Sequence, residues 1–399
     1  MPRFLTLDDI EVRGKRVLLR ADLNVPVKNG IVTDALRIDR LAPTIRELAE
    51  KGARVVVMSH FGRPEHGFDP ALSLKPLVEP LAKSIGRPVA FARDCVGPET
   101  QRLVDELKPG GVALLENLRF HPEEEKNDPG FAKQLAALGD IYVNDAFSTA
   151  HRAHASTEGV AHLLPAAAGR LMQAELEALQ AVLETPKRPV AAIVAGSKVS
   201  TKLQLLQFML AKVQMLIIGG AMANTLLYAQ GRNVGRSLVE RDMADVARSL
   251  LAKAKSASCE LVLPIDVVVA RVLKEGVATE IVAVDRVPED CMILDIGPAS
   301  VDMIGSLLQR CPTLLWNGPV GAFEVTPFDA GTVAIAKLVA ERTRAGKLVS
   351  VAGGGDTVAA LNHAGVVDQL TYVSTAGGAF LEWLEGRDLP GVKALIEAA

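Results

Sequence analysis

Arginines recur at equivalent places in the first half of the sequence. Directly after short apolar runs come Arg20-Ala-Asp-Leu-Asn-Val-Pro26, Ser59-His-Phe-Gly-Arg-Pro64, Glu116-Asn-Leu-Arg-Phe120 and Asn144-Asp-Ala-Phe-Ser-Thr-Ala-His-Arg152. These segments supply Arg20, Arg63, Arg119 and Arg152, with His60 and His151 beside them, and Arg37 follows in Thr33-Asp-Ala-Leu-Arg37. Any one of them alone is more often a solvated charge or a salt-bridge partner. Brought together, guanidiniums repel unless an anion lies between them, and their planar forks match phosphate or carboxylate. The pattern therefore points to a small ligand carrying several negative charges.

The second half carries glycine where the first carries arginine. Its loops are Ala195-Gly-Ser-Lys-Val-Ser-Thr-Lys202, Gly219-Gly-Ala-Met222, Asn317-Gly-Pro-Val-Gly321, Gly353-Gly-Gly-Asp-Thr357 and Ala376-Gly-Gly378. Glycine lets backbone approach a ligand closely, and amides opening a helix offer donors and a favourable dipole to phosphate. Lys198 and Lys202 are four apart and share a helical face, where they neutralise phosphate oxygens or simply meet solvent. Asp356 reads as a cap of the helix starting at Thr357, as a ligand of the magnesium that accompanies a nucleotide, or as both at once. Glu324 reads as a ribose ligand or a surface carboxylate.

Positioning these loops requires the apolar runs that precede them. Val17–Leu19, Arg54–Met58, Val112–Leu115 and Ile141–Val143 lie in the first half. Val190–Val194, Met215–Ile218, Leu261–Leu263, Met292–Leu294, Thr313–Trp316, Lys347–Val351 and Tyr372–Ser374 follow in the second. Each run precedes a longer amphipathic stretch, the βα rhythm of a parallel sheet, and none alternates, so helices should cover both faces. The fold class is α/β. A chain of 399 residues exceeds the roughly 250 to 300 that one core supports, so two doubly wound, Rossmann-like domains are expected. Met172, Leu176, Leu179 and Leu183 recur at helical spacing before Pro186 and Pro189, which places a connecting hinge helix over 171–189 between domains at 1–170 and 190–379.

Other classes are excluded by what is missing. A formal net charge of -3 provides no global field for nucleic acid or an anionic membrane. Cys95, Cys259, Cys291 and Cys311 show no metal or disulfide spacing and read as reduced, buried thiols. The amino terminus lacks a secretory pattern and no apolar run reaches the roughly 18 residues of a membrane span, so a cytoplasmic, soluble protein is expected. The Walker loop, the dinucleotide fingerprint, the zinc-protease and serine-hydrolase motifs and the protein-kinase set are all absent from the sequence. An anion-clamping binding protein remains an alternative, although it leaves Lys198, Lys202 and the Gly-Gly-Asp-Thr loop unexplained. A dehydrogenase lacks its fingerprint.

The segments RADLNVP, SHFGRP, ENLRF, AHRAHAS, GSKVSTK, GGAMANT, WNGPVGAFE and GGGDT, in this order from Arg20 to Thr357, resemble the signature set of the phosphoglycerate kinase family. Leu23, Phe61, Ala195 and Ala376 depart from that pattern without removing a charged group. The resemblance implies reversible phosphoryl transfer between 1,3-bisphosphoglycerate and Mg-ADP, giving 3-phosphoglycerate and ATP, by a glycolytic monomer whose segment 380–399 returns to the first domain. It implies direct in-line transfer after hinge closure, with Arg37 and Lys202 along the migrating group. It further implies acid binding by Asp22, Leu23, Asn24, Arg37, His60, Phe61, Gly62, Arg63, Arg119 and Arg152. Nucleotide binding is implied for Lys198, Lys202, Gly219, Gly220, Gly297, Asn317, Glu324, Gly354, Gly355, Asp356 and Thr357, with Mg2+ on Asp356.

Overall fold

Most of the uninterrupted apolar runs become strands buried on both faces, as their lack of alternation leads one to expect. The computed structural model describes residues 4–28, 30–65 and 67–398; residues 1–3 and 399, within the expected spans 1–170 and 380–399, lie outside the described residues. Two compact units are present, one up to Leu176 together with the segment from Asp388, the other Glu177–Arg387.

In the first unit the strands are β1 (Arg16–Arg20), a short hairpin β2 (Val27–Lys28) and β3 (Ile31–Val32), β4 (Arg54–Met58), β5 (Val89–Phe91), β6 (Val112–Leu114), β7 (Ile141–Asn144) and β8 (Ala166–Ala168). Six of them form a parallel sheet in the order β5-β6-β4-β1-β7-β8. The helix Leu36–Glu50 covers it with Ile38, Leu41, Ala42, Ile45, Leu48 and Ala49, the spacing of one helical face. These side chains pack with Leu19, Val55 and Val57. Besides the small β2–β3 hairpin, two strands of the sheet fall outside the expected runs: β5 is a three-residue edge strand, and the three alanines of β8 lack the β-branched signature of a strand.

In the second unit β9 (Val190–Ala195), β10 (Met215–Gly219) and β11 (Glu260–Val262) precede an antiparallel insert of β12 (Asp266–Ala270), β13 (Glu280–Ala283) and β14 (Met292–Ile296). β15 (Thr313–Asn317), β16 (Val349–Gly353) and β17 (Tyr372–Ser374) complete a parallel sheet ordered β11-β10-β9-β15-β16-β17. That is the doubly wound order whose direction reverses between β9 and β15, where such sheets bind ligands. The run Met292–Leu294 is therefore not a parallel-sheet strand: it pairs antiparallel with β12. Ile193, Ile217, Leu314, Trp316, Ile335 and Val339 form the core between sheet and helices.

The linking helix spans Arg170–Leu183, with Met172, Leu176 and Leu179 buried, and is divided between the units. Its first turn is tied within the first unit. Arg170 pairs with Asp8 at 2.7 Å and Glu47 at 2.6 Å, and Asp145 accepts from the amides of Leu171 and Met172 at 2.8 and 3.1 Å. The returning segment begins at Asp388, later than residue 380, because Gly378–Leu384 packs on Leu203–Lys212 inside the second unit. All four cysteines are free and buried, and no helix among the described residues is long and apolar enough to cross a membrane.

Both tryptophans, Trp316 and Trp383, lie in the second unit, so their fluorescence reports its unfolding. Ile193→Ala, at a fully buried position of β9, should destabilise that unit by about 2–5 kcal/mol and lower the urea midpoint of the fluorescence transition. An unchanged midpoint would contradict the core described above.

Candidate functional site

Strands covered on both faces leave their carboxyl ends as the place for polar chemistry. In the first unit one belt of hydrogen bonds joins the loops after β1, β4, β6 and β7. Arg37 Nη1 donates to Asp22 Oδ2 at 2.8 Å and to the Asn24 carbonyl at 3.0 Å. Ser148 donates to the same Asp22 oxygen at 2.5 Å. Asn24 Oδ1 accepts from the Gly62 amide at 3.0 Å, and Arg119 Nη1 donates to the Gly62 carbonyl at 2.7 Å. Only Nη1 of Arg37 is engaged among the described residues, so Nε and Nη2 keep their protons for a ligand.

Beneath the belt lies a layer the sequence does not announce. Arg20 is buried, donating from Nε to Ser156 Oγ at 2.8 Å and from Nη1 to the Ala21 carbonyl, with Nη2 3.2 Å from His60 Nδ1. It supports the site from inside and does not line it. Ser156 in turn donates to Glu124, which is fully buried and whose pKa burial raises. Because Nδ1 of His60 accepts from Arg20, its proton belongs on Nε2. Burial, followed by the charges of Arg20, Arg119, Arg37 and His154, drives the His60 pKa well below the usual imidazole range. His154 is lowered to about 4, again by burial first and then by Arg20, Arg119, Arg152 and His151. Burial also lowers Arg119, opposed by Glu125, whose Oε1 is 3.1 Å from Arg119 Nε.

These mutual effects show Arg20, Arg37, Arg119, Arg152, His60 and His154 close enough to feel one another. Arg63 is outside that set: it is exposed and bonds to no described residue. Leu23 and Phe61 are buried, and their backbones are already used. The Leu23 amide donates to Ser59, and Asn117 takes both the amide and the carbonyl of Phe61. Those two residues shape the loops instead of presenting groups to a ligand.

In the second unit the reversal between β9 and β15 holds a lysine. Lys202 Nζ donates to the Ala195 carbonyl at 2.6 Å and to Asn317 Oδ1 at 2.7 Å, while Asn317 Nδ2 donates to the Gly353 carbonyl at 2.7 Å. Burial lowers the Lys202 pKa to about 8, partly opposed by Asp356. Lys198 is exposed and precedes the 3-10 turn Ser200–Lys202, so the two lysines do not share a helical face. Thr357 is turned inward, donating to the Gly353 carbonyl and accepting from the Gly318 amide. Two glycines are obligatory. At Gly318, φ +101°, a Cβ would overlap the Ala195 carbonyl, and at Gly354, φ +97°, it would lie 2.7 Å from Asn317 Nδ2.

The two Gly-Gly turns differ in what they leave available. Gly220 donates its amide to Val320 and Met222 donates to Gly196, so the Gly219-Gly220 turn mainly stitches the sheet. The helix Gly355–His363 has no side-chain cap, and Asp356 sits exposed in its first turn, which removes the capping reading. The opening amides of that helix have no side-chain cap, the arrangement that suits an anion at a helix N-terminus. Glu324 is exposed near Phe323. Gly297 is buried at the end of β14 against Asp266, which already accepts from Ala299 and Ser300. The arrangement can cradle a polyanion, with one uncommitted carboxylate for a hard cation.

Ser148, Ser59, Asn117 and the Arg20–Ser156–Glu124 chain are absent from the sequence reading. Asn117, Ser59, Ser148 and Ser156 all lie inside segments quoted above, but their pairings, like that of Glu124, follow only from the three-dimensional structure.

With this geometry established, similarity to known proteins is informative. A family model described as "Phosphoglycerate kinase" matches residues 7–387. The chain is 62% identical over 396 residues to the phosphoglycerate kinase of Methylorubrum extorquens strain PA1, covering 99% of both. It is 61% identical over 392 residues to that of Rhodospirillum centenum, covering 98% of this chain and 99% of the relative. The solved phosphoglycerate kinase of Coxiella burnetii superposes with a TM-score of 0.93 at 44% identity, covering 99% of each chain.

A histidine held neutral by folding loses its stability contribution below the unfolded pKa of about 6.5, since the unfolded chain then binds the proton and the folded one does not. The ring of His60 should stay neutral, protonated on Nε2, from pH 5.5 to 8 in 15N-resolved NMR. A titration near 6.5 would contradict the buried pairing with Arg20.

Proposed function

The chain belongs to the phosphoglycerate kinase family, and from that premise we propose that it transfers a phosphoryl group reversibly between the acyl phosphate of 1,3-bisphosphoglycerate and Mg-ADP, giving 3-phosphoglycerate and ATP. The observation that carries this reading is the division of labour between the units. One presents guanidiniums around Asp22 and Asn24; the other presents a glycine-lined strand reversal with Lys202.

The acid binds to the first unit. Arg119 and Arg152, with neutral His60 donating from Nε2 and Arg63 at the rim, hold the phosphate that stays. Asp22 and Asn24 orient the glycerate end, and Arg37 turns its free Nε and Nη2 towards the reacting carboxyl. In the second unit the opening amides of Gly355–His363 and the side chains of Lys198 and Lys202 hold nucleotide phosphates, with Glu324 on the ribose. The Asp356 carboxylate is exposed, makes no hydrogen bond with a described residue, and acts electrostatically on Lys202; one such carboxylate plus phosphate oxygens suits magnesium. When bound, that ion draws charge from the phosphates.

Phosphoryl transfer asks the protein for in-line alignment and for positive charge over the migrating oxygens. Arg37 and Lys202 supply that charge directly, with no phosphoenzyme. Lys202 is made suitable by burial: with a pKa near 8 it stays largely cationic at neutral pH, yet it is only weakly solvated. Transfer further requires the acid and nucleotide surfaces to meet and exclude water once both ligands are bound.

Release of ADP from Mg-ATP should depend on added 3-phosphoglycerate and stop when magnesium is chelated. Tight binding of the acid without turnover would favour an anion clamp instead. Arg37→Ala should reduce turnover by about 10³ to 10⁵ fold, as loss of comparable transition-state cations does. A loss below about tenfold would leave Arg37 a binding residue only.

A further inference from the structure

The antiparallel insert of the second unit carries a buried carboxylate, Asp295 on β14, with 2% of its surface exposed. Its Oδ2 accepts from the Gly331 amide at 2.7 Å and its Oδ1 from the Ile296 amide at 2.8 Å. Gly331 lies in the first turn of the helix Ala330–Arg344, so the carboxylate also meets the positive end of that helix. A Cβ at Gly331 would lie 2.6 Å from Asp295 Oδ1, and one at Gly321 would overlap the same oxygen. Next to it, the Leu294 carbonyl accepts from the Ala322 amide at 2.8 Å. Strand β14 therefore grips both ends of the segment between Gly321 and Gly331, and that segment carries the exposed Glu324.

We propose that Asp295 is a positioning residue for the nucleotide, its ionised carboxylate clamping the Gly321–Gly331 segment so that Glu324 is held beside the β9–β15 reversal. This rests on the nucleotide reading given above. The antiparallel insert thereby acquires a purpose that the parallel sheet does not give it.

The clamp is sensitive to protons. Burial raises the Asp295 pKa to about 7 against the opposing pull of the Gly331 and Ile296 amides, and the neighbouring Asp329 pushes in the same direction as burial; Asp329 is itself bonded to His363 at 2.8 Å. Above pH 7 the carboxylate is ionised and accepts both amides with full charge. Below it the carboxyl gains a proton, the charge-assisted bonds weaken, and the segment loosens.

The test uses the full chain and Asp295→Asn, which keeps the shape but cannot ionise. The KM for Mg-ATP should rise about tenfold, with the KM for 3-phosphoglycerate within about twofold of the parent. In the parent the Mg-ATP KM should climb from pH 8 to pH 6; in the variant it should not. Gly331→Ala, which pushes a methyl against the carboxylate, should reproduce the nucleotide effect. Hydrogen exchange without ligand reads the clamp independently: the protection factor of the Gly331 amide should fall below pH 7 in the parent and be low at every pH in Asp295→Asn. Absence of acid-dependent turnover in the parent would fault the functional reading and leave the exchange result standing. PH-independent protection of Gly331, or a variant retaining the parent's Mg-ATP KM, would overturn the clamp.

Discussion

A strand covered on both faces can present polar groups only at its ends, and the chemistry of this protein follows from that constraint. In each unit the central strand, β1 or β9, has neighbours whose connections run to opposite sides, and the loops leaving those strands meet at one edge. Asp22, Asn24, Gly62, Arg119 and Ser148 are far apart in sequence yet share one hydrogen-bonded belt for this reason. Ala195, Lys202, Asn317 and Gly353 meet in the second unit in the same way.

Gathering cations at such an edge creates a second requirement, electrostatic balance in a partly dry place. The first unit meets it in three ways. Asp22 and Glu125 sit beside Arg37 and Arg119, the histidines give up their protons, and Arg20 is taken inside, where Ser156 connects it to buried Glu124. What remains is positive charge directed outward, as at Arg37. In the second unit the corresponding edge offers glycine-rich backbone, the opening amides of a helix and the desolvated Lys202.

The strands that bear the site were legible because long β-branched runs followed by Gly, Arg or Asp leave few alternatives. The antiparallel insert was not, since Met292–Leu294 reads like any other apolar run and only pairing with β12 reveals its direction. Side-chain direction at a strand end was equally hidden. Arg20 and Arg119 occupy similar places in the sequence, yet one is wholly internal and the other reaches the belt. Lys198 and Lys202 looked equivalent by spacing, but a 3-10 turn and the acceptor pair Ala195 and Asn317 separate them. Asp295 carried no sequence signal, because its partners are amides whose positions depend on the finished fold. The family resemblance located the loops; the structure shows which of their side chains are already bonded within the fold.

The central claim is that each unit binds its own ligand, the acid at the arginine edge and the nucleotide at the glycine edge. Residue-resolved hydrogen exchange on the intact chain tests it most directly, with 3-phosphoglycerate alone and then Mg-ADP alone. The account predicts that the acid protects amides around residues 22–24, 60–63 and 119–120, and that the nucleotide protects those around 196–202, 318–324 and 354–357. Protection by either ligand confined to the opposite unit would contradict it.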